Sequence, residues 1–158
     1  MTAPETPRGI DPRGSRFSAG ITAILLLVVI ALALLEFGTA ALILTIYIAA
    51  VFLWGAVAGV QRHPYGLFFK KVLRPRLKPP VDLEDPAPPT FAQGVGLFVT
   101  VVGIALYFIV GPVALVIAGA AAFVAAFLNS VFAYCLGCQI YLLLARAGIV
   151  GRKGAAAA

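Results

Sequence analysis

The chain has 158 residues, a net charge of +6, and 62% hydrophobic against 11% charged residues. Soluble domains carry about 45–50% apolar and about 25% charged residues, so a water-soluble globule and a disordered chain are both excluded. Two cysteines are too few for a disulfide-built scaffold, which leaves an integral membrane protein.

Residues 1–17 form a polar N-terminal segment with Arg8, Arg13 and Arg16, followed by an uncharged run over 18–35. Ala31-Leu32-Ala33 has the A-x-A spacing of a cleavage site. The run is nevertheless longer than a signal core and follows a Pro- and Arg-bearing segment, so it reads as a retained span. Glu36 and Gly38 interrupt the apolar pattern, and 39–60 are uncharged again, which predicts a first helical hairpin over 18–60. The connector 61–90 is basic and rich in proline. Within it Leu67, Phe68, Val72 and Leu73 can share one face and Lys70, Lys71 and Arg74 the other, as in a helix lying on an anionic membrane surface. The prolines from Pro79 to Pro89 predict an extended, stiff linker. A third apolar run covers 91–110, Gly111-Pro112 marks a turn, and a fourth run covers 113–145, giving a second hairpin over 91–146. Residues 147–158 end in alanines and read as a disordered tail. Roughly 20 apolar residues cross about 30 Å of hydrocarbon, so the fold class is an all-α membrane protein with four transmembrane helices. Twenty residues from Val113 reach Phe132, so the fourth helix either tilts and projects or breaks near Gly137 and continues along the interface.

Every Lys and Arg lies before the first span, in the connector or after the last span, and none lies in the two short turns. An even number of spans puts these three regions on one side, which the positive-inside rule makes cytoplasmic. The expected location is the bacterial plasma membrane, with both termini in the cytoplasm. Basic residues placed as topology signals argue against nucleic acid as a partner.

The chain also resembles itself. Asp11-Pro12, Phe17 and Gly20-Ile21 recur 74 positions later as Asp85-Pro86, Phe91 and Gly94-Val95, and the turn Phe37-Gly38 falls on Gly111-Pro112. This predicts two tandem hairpins related by a parallel internal repeat, with a pseudo-two-fold axis along the membrane normal. Equivalent positions then lie at equal depth, which puts Arg62 and His63 level with Cys135 and Cys138 at the cytoplasmic interface.

Cys135-Leu136-Gly137-Cys138 is a C-x-x-C. Three residues apart on a helix share a face, so the sulfurs can pair or bind a metal together, and a cysteine at a helix start has a lowered thiol pKa. The competing reading is two small residues packed in an apolar bundle. In a reducing cytosol a purely structural disulfide is not expected, so a working pair would cycle, relay sulfur or hold a metal. His63, the only histidine, could move a proton beside the cysteines, with Arg62 favouring the thiolate, or it could simply end a helix before Pro64. Asp11 and Asp85 read as caps. With no second C-x-x-C, no metal site is expected. Asn129 is the clearest polar residue inside a span, and Gln139 adjoins Cys138, so both are assigned supporting roles. Gly55, Gly59, Gly119, Ala122 and Ala126 allow close helix packing, including between copies in a homo-oligomer.

Arg62-His63-Pro64-Tyr65-Gly66, Arg74-Pro75, Leu83-Glu84-Asp85-Pro86, Phe91-Ala92-Gln93-Gly94 and Cys135-Leu136-Gly137-Cys138, in that order over about residues 9–146, resemble an uncharacterised bacterial family. It is domain-of-unknown-function family 4395, small and mostly actinobacterial integral membrane proteins. The resemblance implies no established activity and no known cofactor. The resemblance also implies relatives encoded near sulfurtransferase and thioredoxin-like genes, which would favour thiol or sulfur traffic. Two functions are therefore expected to compete. One is a thiol-disulfide or sulfur relay working with a cytosolic thioredoxin-like or sulfurtransferase partner. The other is a non-enzymatic accessory subunit or small transporter for a sulfur-containing anion.

Overall fold

The computed structural model describes residues 9–150. Arg8, Arg152, Lys153 and most of the expected tail lie outside that range. Four helices are long and apolar enough to cross a membrane: α1 (Pro12–Leu34), α2 (Gly38–Ala58), α4 (Ala87–Val110) and α5 (Val113–Phe132). A short helix α3 (Pro64–Phe68) lies in the connector, and α6 (Leu136–Arg146) closes the chain. The protein is an all-α membrane protein.

Helices α1 and α4 begin several residues before their apolar runs, because their starts are set by capping rather than by hydrophobicity. The Asp11 carboxylate accepts from the Arg13 amide at 3.0 Å, and the Asp85 carboxylate accepts from the Ala87 amide at 2.9 Å. Each satisfies a backbone donor that has no partner in the first turn. At the opposite end of α1 the chain turns on Glu36, whose φ of 66° is in the left-handed region. The Phe37 amide reaches back to the Leu32 carbonyl at 2.9 Å, a six-residue closure that normally uses glycine at the turning position.

Helix α1 packs mainly along α5 and α2 mainly along α4, with the hairpin contacts α1–α2 and α4–α5 completing the ring; the diagonal pairs touch little. Leu26, Val29 and Leu115 fill the centre. Lipid tails are as apolar as leucine, so nothing drives these helices together by hydrophobicity alone, and close backbone approach matters more. Gly119 sits against Ile30 and Val29, and Gly96 against the Phe52 ring. Gly55, Gly119 and Ala122, small residues open to an intermolecular reading, are thus occupied within the chain. Buried hydroxyls are satisfied inside their own helices, as apolar surroundings demand: Thr22 donates to the Ser18 carbonyl, Thr45 to Ala41 and Thr100 to Gly96. Large apolar side chains such as Phe98, Phe108 and Ile109 point outward and are more than two-thirds exposed. That is the arrangement expected of helices solvated by lipid.

The connector differs from the single amphipathic helix its pattern predicts. It forms α3, then a wider π turn over Phe69–Leu73, then a 3-10 turn over Arg74–Arg76. Phe69, which that pattern assigns to neither face, is the buried residue. Its ring packs on Gly14 and lies 5.7 Å from the Phe17 ring. Phe68 and Val72 stay exposed. Farther on, Ile10 and Glu84 exchange two backbone hydrogen bonds of 2.9 and 3.0 Å, tying the N-terminal segment to the linker.

Candidate functional site

The fourth membrane helix ends at Phe132, and the break lies before the C-x-x-C rather than at Gly137. Ala133 takes a left-handed conformation with φ 55°, and the Tyr134 amide closes the turn on the Leu128 carbonyl at 3.1 Å. Cys135 is extended and stands one residue before α6. Its sulfur accepts from the Cys138 amide at 3.2 Å, so the first thiol is the N-terminal cap of α6. Cys135 and Cys138 are joined as a disulfide, with Cα atoms 5.2 Å apart. Gly137 between them is buried against α4, where a Cβ would stand only 2.7 Å from the Ala92 Cα. Glycine at this position lets α6 lie directly on α4.

This corner borders a cavity of about 510 Å³ inside the bundle, at the end where the connector crosses it. Cys135, His63, Asp11 and Asn129 all line it. Arg62 does not: it is exposed, and its carbonyl accepts from the Trp54 indole at 3.0 Å. Asp85 and Gln139 also lie outside the cavity, with Asp85 serving as a cap and Gln139 exposed on α6. A wider groove of about 750 Å³ runs along the outside between α2 and α4, but it carries none of the titratable or sulfur-bearing candidates.

His63 is 3% exposed. Burial pushes its pKa down to about 4, so the imidazole is neutral at physiological pH. Its ring stands edge-on to Tyr65 at 5.2 Å, and the Tyr65 hydroxyl pairs with that of Tyr47 at 3.0 Å. Burial, with that hydrogen bond, raises the Tyr65 pKa. Asp11 is held below the usual carboxylate range by its hydrogen bond to the Arg13 guanidinium, with which it forms an ion pair of 2.8 Å.

Gln93 of α4 was not legible as a site residue from its surroundings in sequence. A Cβ on Gly55 would stand 2.8 Å from Gln93 Oε1 and 2.9 Å from His63 Cδ2, so the amide and the imidazole meet over the same glycine. Gln93 Oε1 and His63 Nδ1 are buried with no hydrogen-bond partner among the described residues. Ser18 and Thr22 add hydroxyls to the wall, and Lys70 and Arg74 of the connector line it as well. Arg16, placed by sequence among topology signals, reaches the C-terminus of α5 and donates to the Ser130 carbonyl at 3.2 Å. It thereby anchors the segment that leads into Cys135. No cluster of three potential metal ligands occurs among the described residues.

The model of the family described as "Domain of unknown function (DUF4395)" matches residues 10–146. The chain belongs to the DUF4395 family. Comparison with curated proteins and with solved structures returns no match. The DUF4395 match begins beside the Asp11 cap and ends at the last residue of α6, so it covers the C-x-x-C and every lining residue of the cavity except Gly9.

Proposed function

We propose that this DUF4395 protein is a thiol-disulfide or sulfur relay of the bacterial plasma membrane. Both termini and the basic connector would face the cytoplasm, and its working pair would be Cys135 and Cys138. The observation that carries this reading is the position of Cys135 as the cap of α6, bonded to Cys138 and bordering a cavity that also holds the buried His63. A helix N-terminus favours thiolate over thiol, so the reduced pair would be reactive near neutral pH. The partner would be a cytosolic thioredoxin-like or sulfurtransferase protein meeting the basic connector.

The reading includes an internal repeat, which would put the site's parts at equal depth. Shifting by 74 positions carries α1 onto α4 and α2 onto α5 to within two residues. Contacts between equivalent residues occur only on a symmetry axis, and two such contacts mark the two ends of the bundle. Ile10 pairs with Glu84, and Gly38 lies against Pro112, whose Cγ is 3.0 Å from the position of a Gly38 Cβ. In such a repeat His63 would be the counterpart of Gly137, and both line the cavity.

The test is trapping from the cytoplasmic side. The reduced protein should form a mixed disulfide with the disulfide of an oxidised partner, or take the outer sulfur of a partner's persulfide, and Cys135→Ser or Cys138→Ser should abolish that adduct. An adduct that survives in both single variants ends the proposal. The second reading, a transporter for a sulfur-containing anion, draws support from Lys70 and Arg74 beside the cavity. A double cysteine variant that keeps full cellular function would favour it.

A further inference from the structure

The wall of the cavity has a pattern that the relay reading does not require. Under the 74-residue shift three of its polar side chains have small counterparts, His63 falling on Gly137, Gln93 on Ala19 and Asn129 on Gly55, while Gln61 falls on Cys135. In the first two pairs both members line the cavity, one with a hydrogen-bonding group and the other with a small residue. The result is a space of about 510 Å³, within the roughly 300–1,000 Å³ typical of small-molecule sites.

Asp11 is paired with Arg13 and His63 is kept neutral by burial, while Lys70 and Arg74 of the connector also line the space, Lys70 being exposed. Two polar atoms, His63 Nδ1 and Gln93 Oε1, are buried and unpaired among the described residues. Leaving a buried hydrogen bond unmade is costly, and His63 is only 3% exposed. Such groups are retained where a ligand completes them. Imidazole and carboxamide each carry both a donor and an acceptor and can turn either toward a partner. A largely apolar molecule with polar oxygens matches this site. The cavity also borders a disulfide within a membrane bundle, and the membrane-soluble molecules that exchange two electrons and two protons are quinones.

We propose that the cavity binds a quinone-type ring whose oxygens take hydrogen bonds from His63 and Gln93, and that this ring accepts the electrons of the reduced Cys135–Cys138 pair. The second half rests on the relay reading; the binding half does not. In the transfer the two S–H bonds break and one S–S bond forms. The two electrons and two protons released reduce the ring's two carbonyls to hydroxyls, so the quinone leaves as a hydroquinone. Neutral His63 is placed to pass one of those protons.

The test uses the full chain in lipid nanodiscs and a short-chain benzoquinone, with binding followed by equilibrium dialysis. One saturable site per chain is expected. Gln93→Leu removes an unpaired polar group from an apolar wall, so it should leave the empty protein as stable as the parent or more so, while weakening quinone binding by about tenfold or more. Gly55→Ala, whose Cβ would displace both His63 and Gln93, should weaken binding similarly. No saturable binding, or parental binding in both variants, overturns the site. The Cys135→Ser/Cys138→Ser double variant should still bind quinone saturably but fail to reduce it. If the reduced parent binds the ring without reducing it, the electron transfer is overturned. If it exchanges thiols with a thioredoxin yet binds no quinone, the cavity proposal fails while the relay stands.

Discussion

Replacing Gly137 by alanine tests whether the docking of α6 on α4 holds the C-x-x-C in place. The added Cβ would lie 2.5 Å from the Ala92 Cβ and 2.7 Å from the Ala92 Cα, where ordinary contact begins at 3.4 Å. The shortfall is close to 1 Å, and a Cα cannot rotate out of the way, so one helix must shift. Such overpacking costs about 1–3 kcal/mol, against which the better helix preference of alanine returns less than about 1 kcal/mol. A net loss of about 1–2 kcal/mol lowers the ratio of docked to undocked α6 by about 5- to 30-fold. The assay is the rate of maleimide labelling of the reduced cysteines in the full chain, alongside the thermal midpoint in nanodiscs. Labelling should accelerate by that factor and the midpoint should fall. Gly94→Ala on α4 is the control, since nothing lies within 4 Å of its Cβ position. Parental labelling and melting in Gly137→Ala, or equal damage from Gly94→Ala, would refute the reasoning.

His63 sets an acid limit. Its pKa falls from 6.5 unfolded to about 4 in the fold, so the unfolded chain takes up a proton first. Stability should therefore be flat above about pH 6.5, decline on acidification toward pH 4 by up to about 3 kcal/mol, and flatten again below. His63→Phe should remove that slope from the unfolding curve, and a slope that persists in the variant would point to another group. Asp11→Ala loses both the α1 cap and the Arg13 pair and should cost about 0.5–2 kcal/mol, while Asp11→Asn, which keeps a capping oxygen, should cost less; thermal midpoints separate the two. Arg16→Gln removes a cation from the C-terminal carbonyls of α5 and should cost up to about 2 kcal/mol. Its signature is faster hydrogen exchange confined to residues around 128–135, and exchange unchanged there would show that Arg16 anchors nothing.

Class and span count were legible in the sequence because they follow from local, additive properties: four uncharged runs of membrane-crossing length, two turns and two Asp-Pro starts. The meeting of His63 with the C-x-x-C corner around one cavity was approached through the 74-residue self-similarity, which concerns depth and not contact. Gln93 carried a signal, as a carboxamide inside the apolar run 91–110 and in the Phe91-Ala92-Gln93-Gly94 motif, but whether it faces a cavity or an interface depends on helix packing. Arg16 and Arg62 were separated only by helix packing. Both are cations at span ends, but α1 lies along α5 and carries Arg16 to the Ser130 carbonyl, whereas Arg62 ends a short turn on the outside. The break before Cys135 likewise came from the left-handed turn at Ala133, a residue with no intrinsic preference for that conformation. By itself the sequence determined that this chain is a four-span helical membrane protein, since hydrophobicity and charge placement act residue by residue. Only the tertiary structure decided which polar groups share a cavity, because that depends on which helix faces which.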